Sequence, residues 1–472
     1  MPDSVPSSET LDIRKDFPEV PTAAWEEAIA RDLKGADYEK KLVWHTEEGL
    51  AVRPYYRKED LAGLDRQLSF RRESRGWEIA PGAEAKEDAI RADLLHEAGA
   101  HAIQELGYAI AAGVERLAAL CEKKSVEEAA RQMEFVLAAG PSYFLEIAKL
   151  RAARLLWDRA VAAFEPKEPE ACGMRLHVRT PRRNKSVYDR YTNLLRVTTE
   201  ALSAVIGGCD RLTIEPFGFD PHLAVSIQHI LQEESHLDRV ADPAGGSYYV
   251  EALTDSMARE AWKLFQKVEA EGGYLKALSS GSIKKALAET RAVREKAVSS
   301  RRRNLVGVNN YPNLTEKVPE TEAPPTESSA LPQFRLADPF EKIRKRTNEH
   351  ARATGHYPKV LLLTRGDVKM RGARANFCLN FFGCAGFDMV VANEHEGVDA
   401  DLIVLCSSDP GYLALAEEVV PKVKVPVLVA GHPKEQVAAL RAAGVQGFVH
   451  ARSDAVETLT EWQNKLGMRS GQ

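Results

Sequence analysis

The C-terminal part of the chain alternates short apolar runs with helical patterns, and this constrains the fold more than any other feature. A continuous apolar run such as VLLL at 360–363 is typical of a parallel strand that is covered on both faces. Five such runs with helical segments between them predict an α/β unit with a doubly wound, flavodoxin-like (Rossmann-like) sheet. The predicted strands are at 360–363, 387–391, 401–407, 426–431 and 447–450.

Three polar or small residues follow strands of this predicted sheet. Ser407 and Gly431 end the runs at 401–407 and 426–431, and Asp367 lies four residues beyond the run at 360–363. Ligands of doubly wound sheets bind outside the carboxyl ends of the strands, so these residues are candidates for a binding site. A second interpretation stays open for two of them, with Asp367 as an ordinary turn residue and Ser407 as a helix cap.

The rest of the chain divides at a linker. Residues 311–333 are rich in Pro, Glu, Thr and Ser and lack periodic apolar positions, which is linker composition. The predicted organisation is an N-terminal arm at 1–80, a shortened barrel domain at 81–310, a linker and helix at 311–357, and the doubly wound domain at 358–472.

The region before the linker is mostly helical. Long helices are predicted at 101–120, 125–138, 142–163 and 188–206, and the candidate strands lie near 92–95, 174–179 and 211–215. Strand-plus-helix units suit an α/β barrel, but three or four strands are too few to close one with eight. We therefore expect an incomplete (β/α) TIM-like barrel.

Composition excludes several classes of protein. The chain of 472 residues has 44% hydrophobic and 28% charged residues and a net charge of −5, which gives no reason to expect nucleic acid as a partner. No apolar run approaches the length of a membrane span, and the polar N-terminus lacks a secretory signal. Six cysteines without a C-x-x-C pair indicate reduced thiols and no metal site. These features predict a cytoplasmic protein.

Several motifs resemble those of the methylmalonyl-CoA mutase family, and in particular its small subunits. The turn from Asp367 to Gly372 resembles the family's cobalamin-binding pattern D-x-H-x-x-G, with Lys369 at the histidine position. The resemblance covers nearly the whole chain. The other matching segments are at 25–44, 49–56, 143–154 (YFLEIAKLRAAR), 191–208, 242–251 (DPAGGSYYVE) and 307–309.

The resemblance implies a cobalamin-binding-type C-terminal domain, but the chain departs from the family pattern there. A protonated lysine has no lone pair to offer a metal, so Lys369 cannot replace the cobalt-ligating histidine. The Gly-Gly beneath the nucleotide tail of cobalamin aligns with Gly431-His432. The resemblance therefore leaves a degenerate cobalamin site consisting of Asp367, Lys369, Gly372, Ser407 and Gly431.

The barrel region also departs from the family pattern. Only a short connection separates Trp77 from Asp93, where relatives carry several barrel units. Leu94 aligns with the catalytic histidine, and Arg179 with a glutamine of the family. No catalytic residue and no metal ligand is therefore predicted. Arg179 and Arg182 follow a predicted strand and are candidates to bind CoA phosphates, or else to pair with acidic residues across an interface.

These features predict a small, non-catalytic subunit. The resemblance implies a heterodimer in which a large subunit holds adenosylcobalamin and interconverts methylmalonyl-CoA and succinyl-CoA, whereas this chain holds no cofactor. The arm carries Trp25, Trp44, Tyr55 and Tyr56, apolar surface that suits a partner, either the large subunit or a second copy. Acyl-CoA is a further candidate ligand. The alternatives are an active acyl-CoA mutase and a scaffold protein derived from a mutase.

Overall fold

Two parallel sheets form the framework of the protein. The computed structural model describes residues 19–64, 76–82, 85–86, 88–168, 173–320, 322–324 and 329–468. Each sheet has five strands, and a separate two-stranded hairpin lies in the N-terminal arm. The first 18 residues, which we assigned to the arm, lie outside the described residues. Within the described parts of the chain, no helix combines the length and hydrophobicity needed to cross a membrane.

The N-terminal arm is partly folded back onto the molecule. Leu50 and Val52 of its hairpin are buried in the core of the first unit, and the Tyr56 ring lies 5.2 Å from the ring of Tyr249. The first helix of the arm, in contrast, has no buried residue. The arm consists of α1 (Thr22–Leu33), α2 (Tyr38–Leu42), β1 (Trp44–His45) and β2 (Ala51–Val52).

The first five-stranded sheet is built from strands between residues 78 and 213. Its order is β3-β7-β6-β5-β4, and all neighbouring strands are parallel. In a closed barrel the first strand pairs with the last, and here β3 pairs with β7 in that way. The strands are β3 (Glu78–Ile79), β4 (Ile90–Arg91), β5 (Phe135–Ala138), β6 (Leu176–Arg179) and β7 (Arg211–Thr213).

The two edge strands of this sheet, β3 and β4, are joined by the short connection between Trp77 and Asp93 that was noted in the sequence. Strands β3 and β4 are consecutive in the chain, yet they lie at opposite edges of the sheet. Only ten residues, 80–89, separate these two strands in the sequence. The described residues thus contain two parallel sheets and no closed barrel, which agrees with the expected α/β class, and the incomplete TIM-like barrel stays a prediction.

Helices pack against this sheet. The helix at Ala102–Cys121, α4, lies close to strand β5 and to a neighbouring helix at Gly113. A Cβ at this position would lie within 3.0 Å of the Phe135 and Trp157 rings, so only a glycine permits this approach. The helices of this unit are α3 (Asp93–Glu97), α4 (Ala102–Cys121), α5 (Val126–Gln132), α6 (Tyr143–Ala162), α7 (Tyr191–Ile206), α8 (Pro221–His229), α9 (Tyr248–Ala270), α10 (Tyr274–Ser279) and α11 (Ser282–Ser299).

Two sequence predictions in this unit are wrong. The predicted helix 125–138 ends at Gln132, because Met133 adopts an extended conformation and the residues of β5 then pair with those of β6. The segment 92–95 is not a strand. The Leu95 N–H donates to the Ala92 carbonyl at 3.0 Å, which begins the turn into α3, and the strand consists of Ile90 and Arg91 instead.

The C-terminal sheet is fully parallel and has the order β12-β11-β10-β8-β9. Numbered within this unit, the order is 2-1-3-4-5, one of the two common doubly wound orders. Separate apolar clusters cover its two faces, as the continuous apolar runs require. The strands are β8 (Lys359–Thr364), β9 (Asp388–Ala392), β10 (Leu402–Cys406), β11 (Val427–Ala430) and β12 (Gly447–Val449).

The helices of this part also join the two units. Phe340 and Ile343 of helix α12 lie in one buried cluster with Val298 and Leu305 of the first unit and Leu362 of β8. This continuous apolar core fixes the two sheets relative to each other. The helices are α12 (Asp338–Thr354), α13 (Val368–Gly383), α14 (Tyr412–Val419), α15 (Val437–Ala442) and α16 (Ala455–Lys465).

Candidate functional site

The carboxyl edge of the C-terminal sheet brings together the predicted site residues. Strands β8, β10 and β11 are neighbours, so the turns that follow them meet at one edge. Asp367 begins helix α13 after β8, Ser407 follows β10, and Gly431 follows β11. The three residues therefore lie at neighbouring strand ends, and their function as a binding site stays a prediction.

Asp367 acts as the cap of helix α13. Its Oδ1 accepts a hydrogen bond from the Met370 backbone N–H at 2.8 Å, which satisfies one of the free N–H groups at the helix start. Lys369 lies in the first turn of this helix and is exposed, and Gly372 is half-buried one turn further on. Asp367 therefore has a local structural function, as in the second of the two interpretations, but as a helix cap rather than as an ordinary turn residue.

Ser407 is buried beside a tyrosine that ties two strand ends together. The Tyr412 hydroxyl accepts a hydrogen bond from the Ser407 N–H at 3.3 Å and donates one to the Ala430 carbonyl. Burial raises the pKa of Tyr412, so the hydroxyl stays neutral and keeps both bonds. Tyr412 thereby connects the carboxyl ends of β10 and β11.

Arg374 reaches from helix α13 across the same edge. A Cβ at position 431 would lie 3.4 Å from the guanidinium carbon of Arg374, so this side chain lies directly over Gly431. Arg374 also donates to Asp409 Oδ1 at 3.1 Å. The guanidinium therefore bridges α13, the turn after β10 and the turn after β11. We did not predict this arrangement, because an arginine within a helix usually belongs to a solvated face.

Arg179, the first of the two predicted phosphate-binding arginines, forms ion pairs at the end of strand β6 in the first sheet. Its Nε donates to Glu215 Oε1 at 3.0 Å, and its guanidinium lies 3.7 Å from Asp93. Asp93 in turn accepts two hydrogen bonds from Arg91, each of 2.8 Å. The carboxyl edge of the first sheet is thus a network of paired charges.

Arg182, the second of these arginines, forms hydrogen bonds both to helix α3 and to the linker. Its backbone N–H donates to Glu97 Oε1 at 2.7 Å, and its guanidinium donates to the Pro324 carbonyl at 2.6 Å. Burial raises the pKa of Glu97 to about 7, although the Arg182 N–H and nearby cations oppose this shift. Binding of CoA phosphates by Arg179 and Arg182 stays a prediction.

The sequence analysis missed a cluster of fully buried charges at the end of β5. The Lys149 ammonium donates to Glu105 Oε2 at 2.7 Å and to the Ala138 carbonyl at 2.6 Å, and it lies 2.6 Å from Glu146. His96 Nδ1 lies 3.1 Å from the same oxygen of Glu105. One signal was available, because the segment at 143–162 carries charged residues on every helical face and some had to be buried.

Comparisons with known proteins agree with this geometry. The sequence profile described as methylmalonyl-CoA mutase matches residues 83–354 of the chain. A protein of Porphyromonas gingivalis, called methylmalonyl-CoA mutase small subunit, is 32% identical over 96% of this chain and 98% of its own length. The chain belongs to the methylmalonyl-CoA mutase family. A Streptomyces virginiae protein of the same name is 38% identical over 80% of the chain and 64% of its own length.

The chain is shorter than these mutase-family relatives. The alignment with the Porphyromonas gingivalis protein runs over 613 residues, whereas this chain has 472, so the relative has segments without a counterpart here. The chain spans slightly less than two thirds of the Streptomyces virginiae protein. A first sheet of only five strands, with β3 and β4 at opposite edges, is consistent with such a difference in length.

Proposed function

We propose that this chain is the small, non-catalytic subunit of a heterodimeric methylmalonyl-CoA mutase. In this proposal the large subunit holds adenosylcobalamin and interconverts methylmalonyl-CoA and succinyl-CoA, and this chain stabilises the assembly. The open strand order of the first sheet carries the proposal. A barrel interrupted between β3 and β4 cannot enclose an acyl-CoA and exclude water from a reactive intermediate.

The groups at the open barrel support a non-catalytic role. Leu94 stands where the family resemblance places a catalytic histidine, and an aliphatic side chain cannot donate a hydrogen bond to a thioester carbonyl. Arg179 and Asp93 are engaged in ion pairs within the chain. These charged groups are therefore used for contacts within the chain.

The C-terminal unit supports the further proposal that the chain holds no cobalamin. The resemblance and the strand order favour a flavodoxin-like domain of the cobalamin-binding type. The side chains at its carboxyl edge do not fit the cofactor, because Lys369 offers an ammonium in place of an imidazole and Arg374 lies over Gly431. We therefore assign the cofactor of the assembly to the large subunit.

Helix α1 is the proposed contact with the large subunit. None of its residues is buried, and Trp25 keeps 44% of its surface exposed. Trp44, in strand β1 of the arm, is 51% exposed. An exposed tryptophan on a helix without buried residues is typical of a partner surface, because large aromatic residues contribute strongly to binding.

Association and activity measurements test the proposal. The purified chain is mixed with the large mutase subunit of the same organism and analysed by gel filtration, and mutase activity is measured for each chain alone and for the mixture. We expect a stable one-to-one complex, with activity that requires the large subunit and adenosylcobalamin. Mutase activity of this chain alone would support the active-mutase alternative, and no complex under any condition would support the scaffold alternative.

A further inference from the structure

Arg374 occupies the cleft between helix α13 and the turns that follow β10 and β11. We propose that this arginine is a built-in occupant of the cleft, which excludes a cofactor tail independently of the missing cobalt ligand. The inference rests on the proposed function, in which this chain holds no cobalamin. It adds that two separate features of the chain, Lys369 and Arg374, each prevent binding.

Contacts on three elements hold the Arg374 side chain in place. Arg374 belongs to helix α13, and its guanidinium donates to Asp409 at 3.1 Å. The guanidinium also lies against Gly431, where a Cβ would be 3.4 Å from its carbon atom. Only 27% of the Arg374 side chain is exposed, so these neighbouring elements cover most of it. Gly431, which aligns with a glycine beneath the nucleotide tail of cobalamin in the family, is therefore covered by Arg374 in this chain.

The cleft also resists widening. The Tyr412 hydroxyl bonds to both Ser407 and Ala430, so separating the ends of β10 and β11 would break two buried hydrogen bonds. A ligand that needed this space would have to displace the guanidinium and break its ion pair with Asp409. Restoring an imidazole at position 369 does neither.

Four proteins separate the two features: the natural chain, Lys369→His, Arg374→Ala and the double variant. Adenosylcobalamin binding is measured by equilibrium dialysis and by the change of its absorbance spectrum on binding. The matched control is Lys369→His combined with Arg352→Ala, which removes an exposed arginine of α12. Circular dichroism shows whether each variant is folded. If Arg374→Ala does not fold, Arg374→Lys takes its place. Lysine keeps the positive charge but lacks the planar guanidinium that lies over Gly431.

We expect the double variant to bind adenosylcobalamin at least about tenfold more tightly than Lys369→His, and the control to equal Lys369→His. With Arg374→Lys the gain should be smaller and in the same direction. Equal affinities of Lys369→His and the double variant would overturn the function of Arg374 and leave the proposed subunit role intact. Tight, stoichiometric binding by the natural chain would overturn both this inference and the proposed absence of a cofactor.

Discussion

The Lys149 ammonium lies 2.7 Å from a carboxylate oxygen of Glu105, and both side chains are completely buried. Glu105 also accepts a hydrogen bond from the Ala138 N–H at 2.7 Å, and Lys149 donates to the Ala138 carbonyl. The pair therefore binds both backbone groups of the last residue of β5. Although burial disfavours its charge, the carboxylates of Glu105 and Glu146 raise the pKa of Lys149, so the ammonium stays protonated.

Replacing Lys149 by methionine should destabilise the protein strongly. The variant leaves Glu105 and Glu146 buried without their cation, and breaking a buried pair in this way costs about 3–5 kcal/mol. Urea unfolding followed by circular dichroism measures the change. Lys263→Met is the matched control, because Lys263 pairs with Glu260 at the surface and such a pair contributes less than about 1 kcal/mol. Equal midpoints for the two variants would contradict the prediction.

Deleting residues 1–36 should weaken association with the large subunit without unfolding the chain. The deletion removes α1, which buries no residue, and keeps the hairpin, whose Glu47 pairs with Arg294 at 2.6 Å. We expect an unchanged thermal midpoint and a dissociation constant raised at least about tenfold, measured by calorimetric titration.

A longer deletion, of residues 1–56, serves as the comparison for this experiment. It also removes Leu50 and Val52, which lie in the core of the first unit, so it should lower the thermal midpoint as well. This refines the sequence analysis, which treated the whole arm as free surface. If the shorter deletion retained full affinity, α1 would not be the contact.

Replacing Gly431 by alanine should destabilise the chain through backbone strain. The backbone φ of 151° at this position is one that other residues rarely adopt, whereas the new methyl group would lie at an ordinary contact distance of 3.4 Å from the Arg374 guanidinium. We expect a cost of at least about 1 kcal/mol in urea unfolding. In a double-mutant cycle with Arg374→Ala this cost should remain, because removing the guanidinium does not relieve the backbone. Loss of most of the cost in the double variant would show that a clash with Arg374 causes it instead.

The C-terminal unit was predictable from sequence because its strands are continuous apolar runs between turn residues. The run at 360–363 became strand β8 (Lys359–Thr364), and the four other runs also became strands. The first unit was harder to predict. The four residues of β5 follow a helical pattern without a turn residue between them, and an apolar run of this length does not separate strand from helix.

The candidate site was predictable only in part, for a related reason. Asp367 is close in sequence to the helix that it caps, so its function follows from local chemistry. The contact between Arg374 and Gly431 joins elements that are distant in the chain, and no local pattern indicates it. The same holds for Glu105 and Lys149, whose pairing depends on how two long helices pack.

Glu97 should make the stability of the chain depend on pH near neutrality. Burial raises its pKa to about 7 from an ordinary value of 4.5, while Asp93 also raises it and Arg182, Arg183 and Lys185 lower it. The folded state therefore binds this proton more tightly than the unfolded state does. The resulting stabilisation is present below about pH 4.5 and is lost as the pH rises to about 7.

Replacing Glu97 by glutamine should remove this loss, because the amide oxygen still accepts the Arg182 N–H and never ionises. A pKa difference of this size corresponds to up to about 3 kcal/mol, so at pH 8 the variant should be more stable than the natural chain by about 1–3 kcal/mol. At pH 4 the two should be equal. Urea unfolding across this pH range measures the difference, with Glu461→Gln, on the exposed face of α16, as the control. A constant difference between variant and natural chain at every pH would show that Glu97 does not titrate in this range.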